Sequence, residues 1–200
     1  MGQMAVDVVL LPDEAMTRRA IALNRQLLTS GRPEIVLNPH DCLPHISLAM
    51  GCIDTTDVTA IGERLGRLAR RTQIKKLNIV GVVAFTNARG ETTSLLDVEK
   101  AEELQALHEQ VMEETKAFFH YDVTEAMIHD DVVAPSTLDW IRTYPEKAGY
   151  ERFRPHITLG YGAAPADLAF PLPFTVTRLA VCHLGNHCTC RTVLAAVPLE

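Results

Sequence analysis

The sequence predicts an α+β fold, on three observations. Strand-like and helix-like segments alternate along the chain, two pairs of strands are separated only by short turns, and one eight-residue string occurs twice. Two hundred residues suit one domain, or two small lobes sharing an interface, and we take residues 1–200 as a single unit. An apolar share of 47% is ample for a core.

The elements follow from local chemistry. Ala5 to Leu11 is rich in β-formers and ends at Pro12. Asp13 is a candidate N-cap for a helix with Met16, Ala20, Leu23 and Leu27 at helical spacing, stopped by Gly31-Arg32-Pro33. Glu34 to Leu37 reads as a short strand and Asn38 to Asp41 as a loop. His45 to Ile53 reads as a strand, followed by a helix with Val58, Ile61, Leu65 and Leu68 on one face. Leu77 to Phe85 and Thr93 to Val98 are strands joined by a turn at Asn87 to Gly90. Leu104, Leu107, Val111, Met112, Thr115 and Phe118 mark an amphipathic helix. From His120 to Arg154 the pattern is irregular, with Trp140 as a candidate anchor to the core; it reads equally as a long lid-like loop or as a segment with a short helix around Thr137 to Thr143. Beyond a proline-rich loop (Pro165, Pro171, Pro173), Phe174 to His183 and His187 to Leu199 form a hairpin turning at Leu184-Gly185-Asn186.

Composition narrows the function. Lys+Arg is 19 against 25 Asp+Glu, a formal charge of −6, whereas proteins that grip long polyanions usually carry a basic surface. A nucleic-acid ligand is therefore expected to be a nucleotide or an RNA end, not a long duplex. Asp7 interrupts the apolar run at the N-terminus, which reads as a strand and not a signal peptide, and no stretch is long enough for a membrane span. Five cysteines fit a reduced, cytoplasmic chain better than a disulfide framework.

The recurring string carries the chemistry. Pro44-His45-Ile46-Ser47-Leu48-Ala49-Met50-Gly51 matches Pro155-His156-Ile157-Thr158-Leu159-Gly160-Tyr161-Gly162 at Pro, His, Ile, Leu and the last Gly, with Ser opposite Thr. Two such His-apolar-hydroxyl-apolar strings should coincide in only about one chain per thousand. On a strand, His45 and Ser47 share one face about 6.5–7 Å apart, while Ile46 and Leu48 face a core. His156 and Thr158 are related in the same way. Side by side, the two strands would converge two imidazoles and two hydroxyls. Phosphodiester cleavage needs a base for the attacking oxygen and an acid for the leaving oxygen, and imidazole serves both near neutral pH. The hydroxyls would donate to non-bridging phosphate oxygens, where charge develops. This chemistry requires no metal and no cofactor.

These residues resemble the 2H phosphoesterase superfamily, which includes RNA 2′,3′-cyclic phosphodiesterases, also called 2′-5′ RNA ligases. The likeness extends over nearly the whole chain, including Pro12, the Leu104–Leu107–His108 helix, Phe153-Arg154-Pro155 and both hairpins. It implies a bilobal, pseudo-symmetric fold with two antiparallel sheets facing a central groove and helices outside. It implies His45 as acid toward a leaving 3′ oxygen and His156 as base toward water, roles that pseudo-symmetry makes interchangeable. The substrate implied is a nucleotide or RNA end carrying a cyclic or 2′-5′ phosphate. One departure stands out: Tyr161 occupies a place where related bacterial chains often carry arginine, with Arg152 or Arg154 as candidate substitutes.

Other candidates receive plainer readings. Cys182, His183, His187, Cys188 and Cys190 could suggest zinc, but their alternation reads as buried thiols of a hairpin. His129-Asp130-Asp131 reads as a solvated loop, and His108 as a packing residue. Arg89 lies in a turn where exposure accounts for it. Phe85 and Tyr161 could stack on a base, with core packing the default for Phe85. Two alternatives to catalysis remain: a nucleotide-binding module using the same groove, and a zinc-dependent interaction protein built on the tail.

Overall fold

A computed structural model describes residues 2–29, 33–86, 90–164 and 168–199. Its elements are β1 (Gln3–Pro12), α1 (Glu14–Leu28), β2 (Ile46–Asp54), α2 (Val58–Ala69), β3 (Lys76–Thr86), β4 (Thr92–Val98) and α3 (Glu102–Thr115). They continue with α4 (Pro135–Arg142), α5 (Tyr144–Ala148), β5 (His156–Tyr161), β6 (Leu172–Leu184) and β7 (Cys190–Pro198). The fold is α+β with antiparallel strand pairing throughout.

The strands run in the order β2-β1-β6-β3-β4-β5, with β7 also on β6. β6 links the set. Its first residues, Leu172 to Thr175, pair with β3, and from Val176 onward it pairs with β1 and then β7. The resemblance implied two facing sheets; here the strands form one connected path through β6. That path curls, because its end strands β2 and β5 come back into contact. α1 packs on β5, at the far end of the path from its own strand β1, and α3 packs on β2, at the far end from β4.

Local chemistry explains the elements. Asp13 caps α1, its Oδ1 accepting from Met16 N–H at 2.8 Å while its Oδ2 accepts from Thr175 N–H at 2.9 Å. One core gathers Ile46, Leu48, Ile157 and Leu159 from the two matched strings with Leu104, Leu107 and Val111 of α3. A second cluster on the opposite face of β1 and β6 holds Val9, Leu11, Ala180, Cys182 and Cys190. The last glycine of each string is needed for a different reason. A Cβ on Gly51 would meet the Phe119 ring at 2.6 Å, whereas Gly162 adopts φ +114°.

Several expectations change. Residues 34–37 form no strand; Asn24 supplies their hydrogen bonds instead, its Nδ2 donating to Ile35 O at 2.8 Å and its Oδ1 accepting from Leu37 N–H at 3.0 Å. The irregular region does contain helices α4 and α5, but on them Ile141 and Tyr144 are the buried anchors, while Trp140 is 38% exposed. Cys182 and Cys190 are not free thiols. Closing the β6–β7 hairpin brings their Cα atoms to 5.5 Å, and they form a disulfide. Asp130 is not a solvated loop residue, since it pairs with Arg191 at 3.0 Å and accepts from Asn186 N–H at 2.6 Å. Gly31-Arg32, Asn87-Ala88-Arg89 and Pro165 lie outside the described residues. No described helix is long and apolar enough to cross a membrane.

Candidate active site

His45 stands immediately before β2 and His156 opens β5, so the contact between these end strands brings the matched strings together. The two rings are held in the same way. His45 Nδ1 donates to Leu43 O and His156 Nδ1 to Arg154 O, both at 2.7 Å. A carbonyl only accepts, so each neutral ring carries its proton on Nδ1 and presents a lone pair at Nε2. In both strings the accepting carbonyl belongs to the residue before the proline, whose fixed φ sets its distance from the ring.

The strand register explains which side chains join them. β5 slips against β4 after Thr158, skipping Leu159, and β2 slips against β1 after Ser47, skipping Leu48. The two slips fall at equivalent positions. They place His156, Thr158 and Tyr161 opposite Asp97, Leu95 and Thr93, and Ser47 and Met50 opposite Val9 and Asp7. Directly opposed residues share a face. Tyr161 therefore stands on the imidazole face, where plain alternation from His156 would turn it away. On β3 the same face continues through Gly81, Val83 and Phe85. Phe85 is 66% exposed, so the default of core packing does not hold for it.

Each slipped residue offers a carbonyl to a helix on the other side. Leu159 O accepts from Asn24 Nδ2 of α1 at 2.7 Å, and Leu48 O accepts from His108 Nδ1 of α3 at 2.7 Å. The other atoms of these two side chains reach the lead-in to the opposite string. Asn24 brackets Ile35 and Leu37 ahead of His45, while His108 Nε2 accepts from Tyr150 N–H at 2.8 Å and its ring stacks on Phe153 with centroids 4.1 Å apart. His108 is thus a cross-brace as well as a packing residue. Burial holds its pKa below the ordinary value, which keeps Nε2 free to accept. Asn24→Leu leaves two buried carbonyls and one amide unpaired. It is expected to cost about 3 kcal/mol or more of stability, read as a lower midpoint in urea denaturation.

Burial lowers the pKa of both imidazoles. His45 is pushed down to about 4, mainly by burial and further by His156, while its bond to Leu43 opposes the shift. His156 is lowered by burial too, but its bond to Arg154 and the charge of Asp97 across the strand pair hold it up. His45 Nε2 lies 3.8 Å from Asp7 Oδ2, a distance at which an ion pair could form. Burial instead raises the Asp7 pKa and lowers that of His45, and both shifts oppose an ion pair here.

The remaining expected contacts divide. Tyr161 OH hydrogen-bonds His187 Nδ1 at 2.9 Å, and His187 holds a left-handed φ of 56° in the turn before β7. Arg154 has an exposed side chain, and the part of it that meets the site is its carbonyl. Asp7 and Asn24 escaped the sequence reading of the site; the single charge inside the β1 apolar run was the signal for Asp7. Among the described residues, no group of three or more His, Cys, Asp and Glu side chains could hold a metal ion. Two surface clefts of about 670 and 640 Å³, one beside Arg71, Lys75 and Leu107 and one beside Gly62 and Leu194, contain neither site histidine.

The model of one family, the 2′-5′ RNA ligase superfamily, matches residues 38–187, a span that includes both strings. Among solved structures, the Escherichia coli LigT complex with NADP+ is similar at 15% identity and TM-score 0.61, covering 99% of each chain. TT0787 of Thermus thermophilus is similar at 17% identity and TM-score 0.60, covering 98% of each chain. LigT complexed with 3′-AMP is similar at 16% identity and TM-score 0.53, covering 100% of this chain and 99% of that one. No curated protein matches the chain by sequence.

Proposed function

This chain belongs to the 2′-5′ RNA ligase superfamily of 2H phosphoesterases, and on that premise we propose that it is a metal-independent phosphodiesterase acting on a cyclic or 2′-5′ phosphate of a nucleotide or RNA end. One observation carries the reading: both imidazoles are anchored through Nδ1 in the same way and present Nε2 from strands that meet. That arrangement supplies one base and one acid to a shared phosphorus. A binding module needs neither.

The electrostatics favour a division of labour opposite to the one the resemblance suggested. Burial lowers both imidazoles, but on His156 the charge of Asp97 opposes that lowering, whereas on His45 the neighbouring imidazole adds to it. His45 Nε2 then takes the proton of the attacking water, and His156 Nε2–H gives its proton to the leaving oxygen. Thr158 and Ser47 follow their histidines by two residues along the strands, and in this reading they would donate to the non-bridging oxygens. Phe85 offers an exposed ring to the base. LigT, whose fold this chain shares, was solved with 3′-AMP and NADP+, and both contain nucleotide phosphates.

The test is turnover of a panel of 2′,3′-cyclic mononucleotides, 2′-5′ dinucleotides and a 2′,3′-cyclic phosphate-ended oligonucleotide. Hydrolysis of at least one, unchanged by EDTA, supports the reading; binding without hydrolysis overturns it. Phe85→Ala is expected to raise KM about tenfold with kcat little changed, as loss of one stacking contact implies. The pH–rate profile should be bell-shaped. The limbs of kcat should lie at higher pH than those of kcat/KM, because a bound phosphate anion favours imidazolium and opposes the lowering by burial.

A further inference from the structure

Asp7 is a carboxyl group with nowhere to spread its charge. It lies on β1 between Cys182 of β6 and Met50 of β2 in the strand register and is fully buried. Its Oδ2 is 2.6 Å from Ser47 Oγ and 3.8 Å from His45 Nε2, while its Oδ1 has no hydrogen-bond partner among the described residues. The other titratable groups that face it are Tyr144 of α5, itself buried, and Cys188 from the turn before β7. None of these is a cation. Cys182, alongside it on β6, is tied up in the disulfide with Cys190.

A carboxylate in this position would leave one charged oxygen unpaired in a dry interior, a cost of several kcal/mol that one hydroxyl does not offset. A neutral acid leaves only a carbonyl-type acceptor unpaired, which costs far less. The hydrogen bond then runs from the acid to the hydroxyl. This direction matters because Ser47 has one hydrogen. If Ser47 donates it to Asp7, nothing remains for the phosphate; if Asp7 donates, the Ser47 hydrogen is free.

We propose that Asp7 is a positioning residue that, as a neutral carboxylic acid, donates its hydrogen bond to Ser47 Oγ and so turns the Ser47 hydrogen toward the phosphate held by His45 and His156. The assignment rests on the reading of this site as a phosphate site. It gives the two strings different supports: Ser47 is oriented by a buried acid on its neighbouring strand, while the residues opposite Thr158 and Tyr161 are Leu95 and Thr93. It also accounts for the one charged residue type inside the β1 apolar run.

Two variants separate the two directions of the bond. In Asp7→Asn the amide keeps an N–H donor toward Ser47 and cannot ionise. In Asp7→Leu the donor is gone and the volume is kept. The probe is inorganic phosphate, with its dissociation constant measured for wild type, both variants, Ser47→Ala and the Asp7→Leu/Ser47→Ala double variant. Asp7→Asn is expected to bind within about threefold of wild type, and Asp7→Leu about tenfold more weakly, like Ser47→Ala. The double variant should bind no more weakly than Ser47→Ala alone, since Asp7 acts through Ser47. An Asp7→Asn as weak as Asp7→Leu, or a further loss in the double variant, overturns the proposal.

A second readout does not depend on binding. The His45 ring is followed by nitrogen-15 NMR against pH in wild type and Asp7→Asn. Equal titration midpoints support a neutral Asp7; a lower midpoint in the variant shows that a carboxylate had been holding the imidazolium and overturns the proposal. Should no phosphodiester in the panel be hydrolysed, the enzymatic reading falls, while phosphate binding and the His45 titration still decide the role of Asp7.

Discussion

Replacing His45 with alanine is expected to lower kcat/KM by about 10²- to 10⁴-fold, the range that a positioned general base contributes. The ring hydrogen on Nδ1 is committed to Leu43 O, so the lone pair that faces the substrate is the one on Nε2. Alanine removes that lone pair and leaves water with no base. The acidic limb of the kcat/KM profile should vanish with it, because the group whose neutral form was required is gone. The fold should survive. Only 12% of the His45 side chain is exposed, but its hydrogen bond to Leu43 O ties it to the loop ahead of β2 and not to a strand ladder. Thermal unfolding of the variant separates lost chemistry from lost structure.

Replacing His156 with alanine is expected to cost a similar factor of about 10²–10⁴, and to act on the other limb. In the proposed assignment His156 is the acid, since Asp97 partly opposes the lowering of its pKa by burial, so its loss removes the acid and with it the basic limb. The leaving oxygen must then depart as an alkoxide. A substrate with a better leaving group, such as a nitrophenyl phosphodiester, should therefore recover much of the activity of His156→Ala and little of that of His45→Ala. The contrast identifies acid and base directly; recovery in the opposite variant would reverse the assignment. The double variant should lose less than the product of the two single factors, because acid and base serve one transition state.

Both imidazoles also make stability pH-dependent. Their folded pKa values lie below the ordinary value of 6.5, so above that pH neither state carries the extra proton and their contribution is fully present. As pH falls from about 6.5 toward 4, the unfolded chain takes up protons that the folded chain refuses, and stability declines. Urea midpoints measured across that interval check the sign.

The candidate residues were legible because their pattern is local. His45, Ser47, His156 and Thr158 announce themselves by a repeated spacing, and alternation on a strand is enough to put each hydroxyl beside its histidine. The hairpins and the Asp13 cap were legible for the same reason. What escaped depends on partners far away in sequence. The slips at Leu48 and Leu159 are set by pairing with β1 and β4, and they alone bring Tyr161 and Met50 onto the working face. Asn24 reaches Leu159 across 135 residues and His108 reaches Leu48 across 60, which no periodicity reports. Residues 34–37 look like a strand by composition, yet find their hydrogen bonds in one asparagine. The disulfide likewise needed the β6–β7 register to bring Cys182 to Cys190.

The symmetry of the cross-braces gives the site its mechanical logic. A helix from each end of the strand path grips the opposite string with one buried polar side chain, so each string is tied to the other half through a carbonyl three residues beyond its histidine. Acid–base catalysis on one phosphorus depends on such fixed spacing, since a displacement of about 1 Å can cost about 10²-fold in rate.

The most direct measurement is a crystal structure of the protein with phosphate bound. Two-histidine catalysis predicts one phosphate with Nε2 of both His45 and His156 within hydrogen-bond reach of its oxygens, about 2.6–3.2 Å. A phosphate contacted by only one imidazole, or seated elsewhere with the two rings too far apart to share it, would contradict that mechanism.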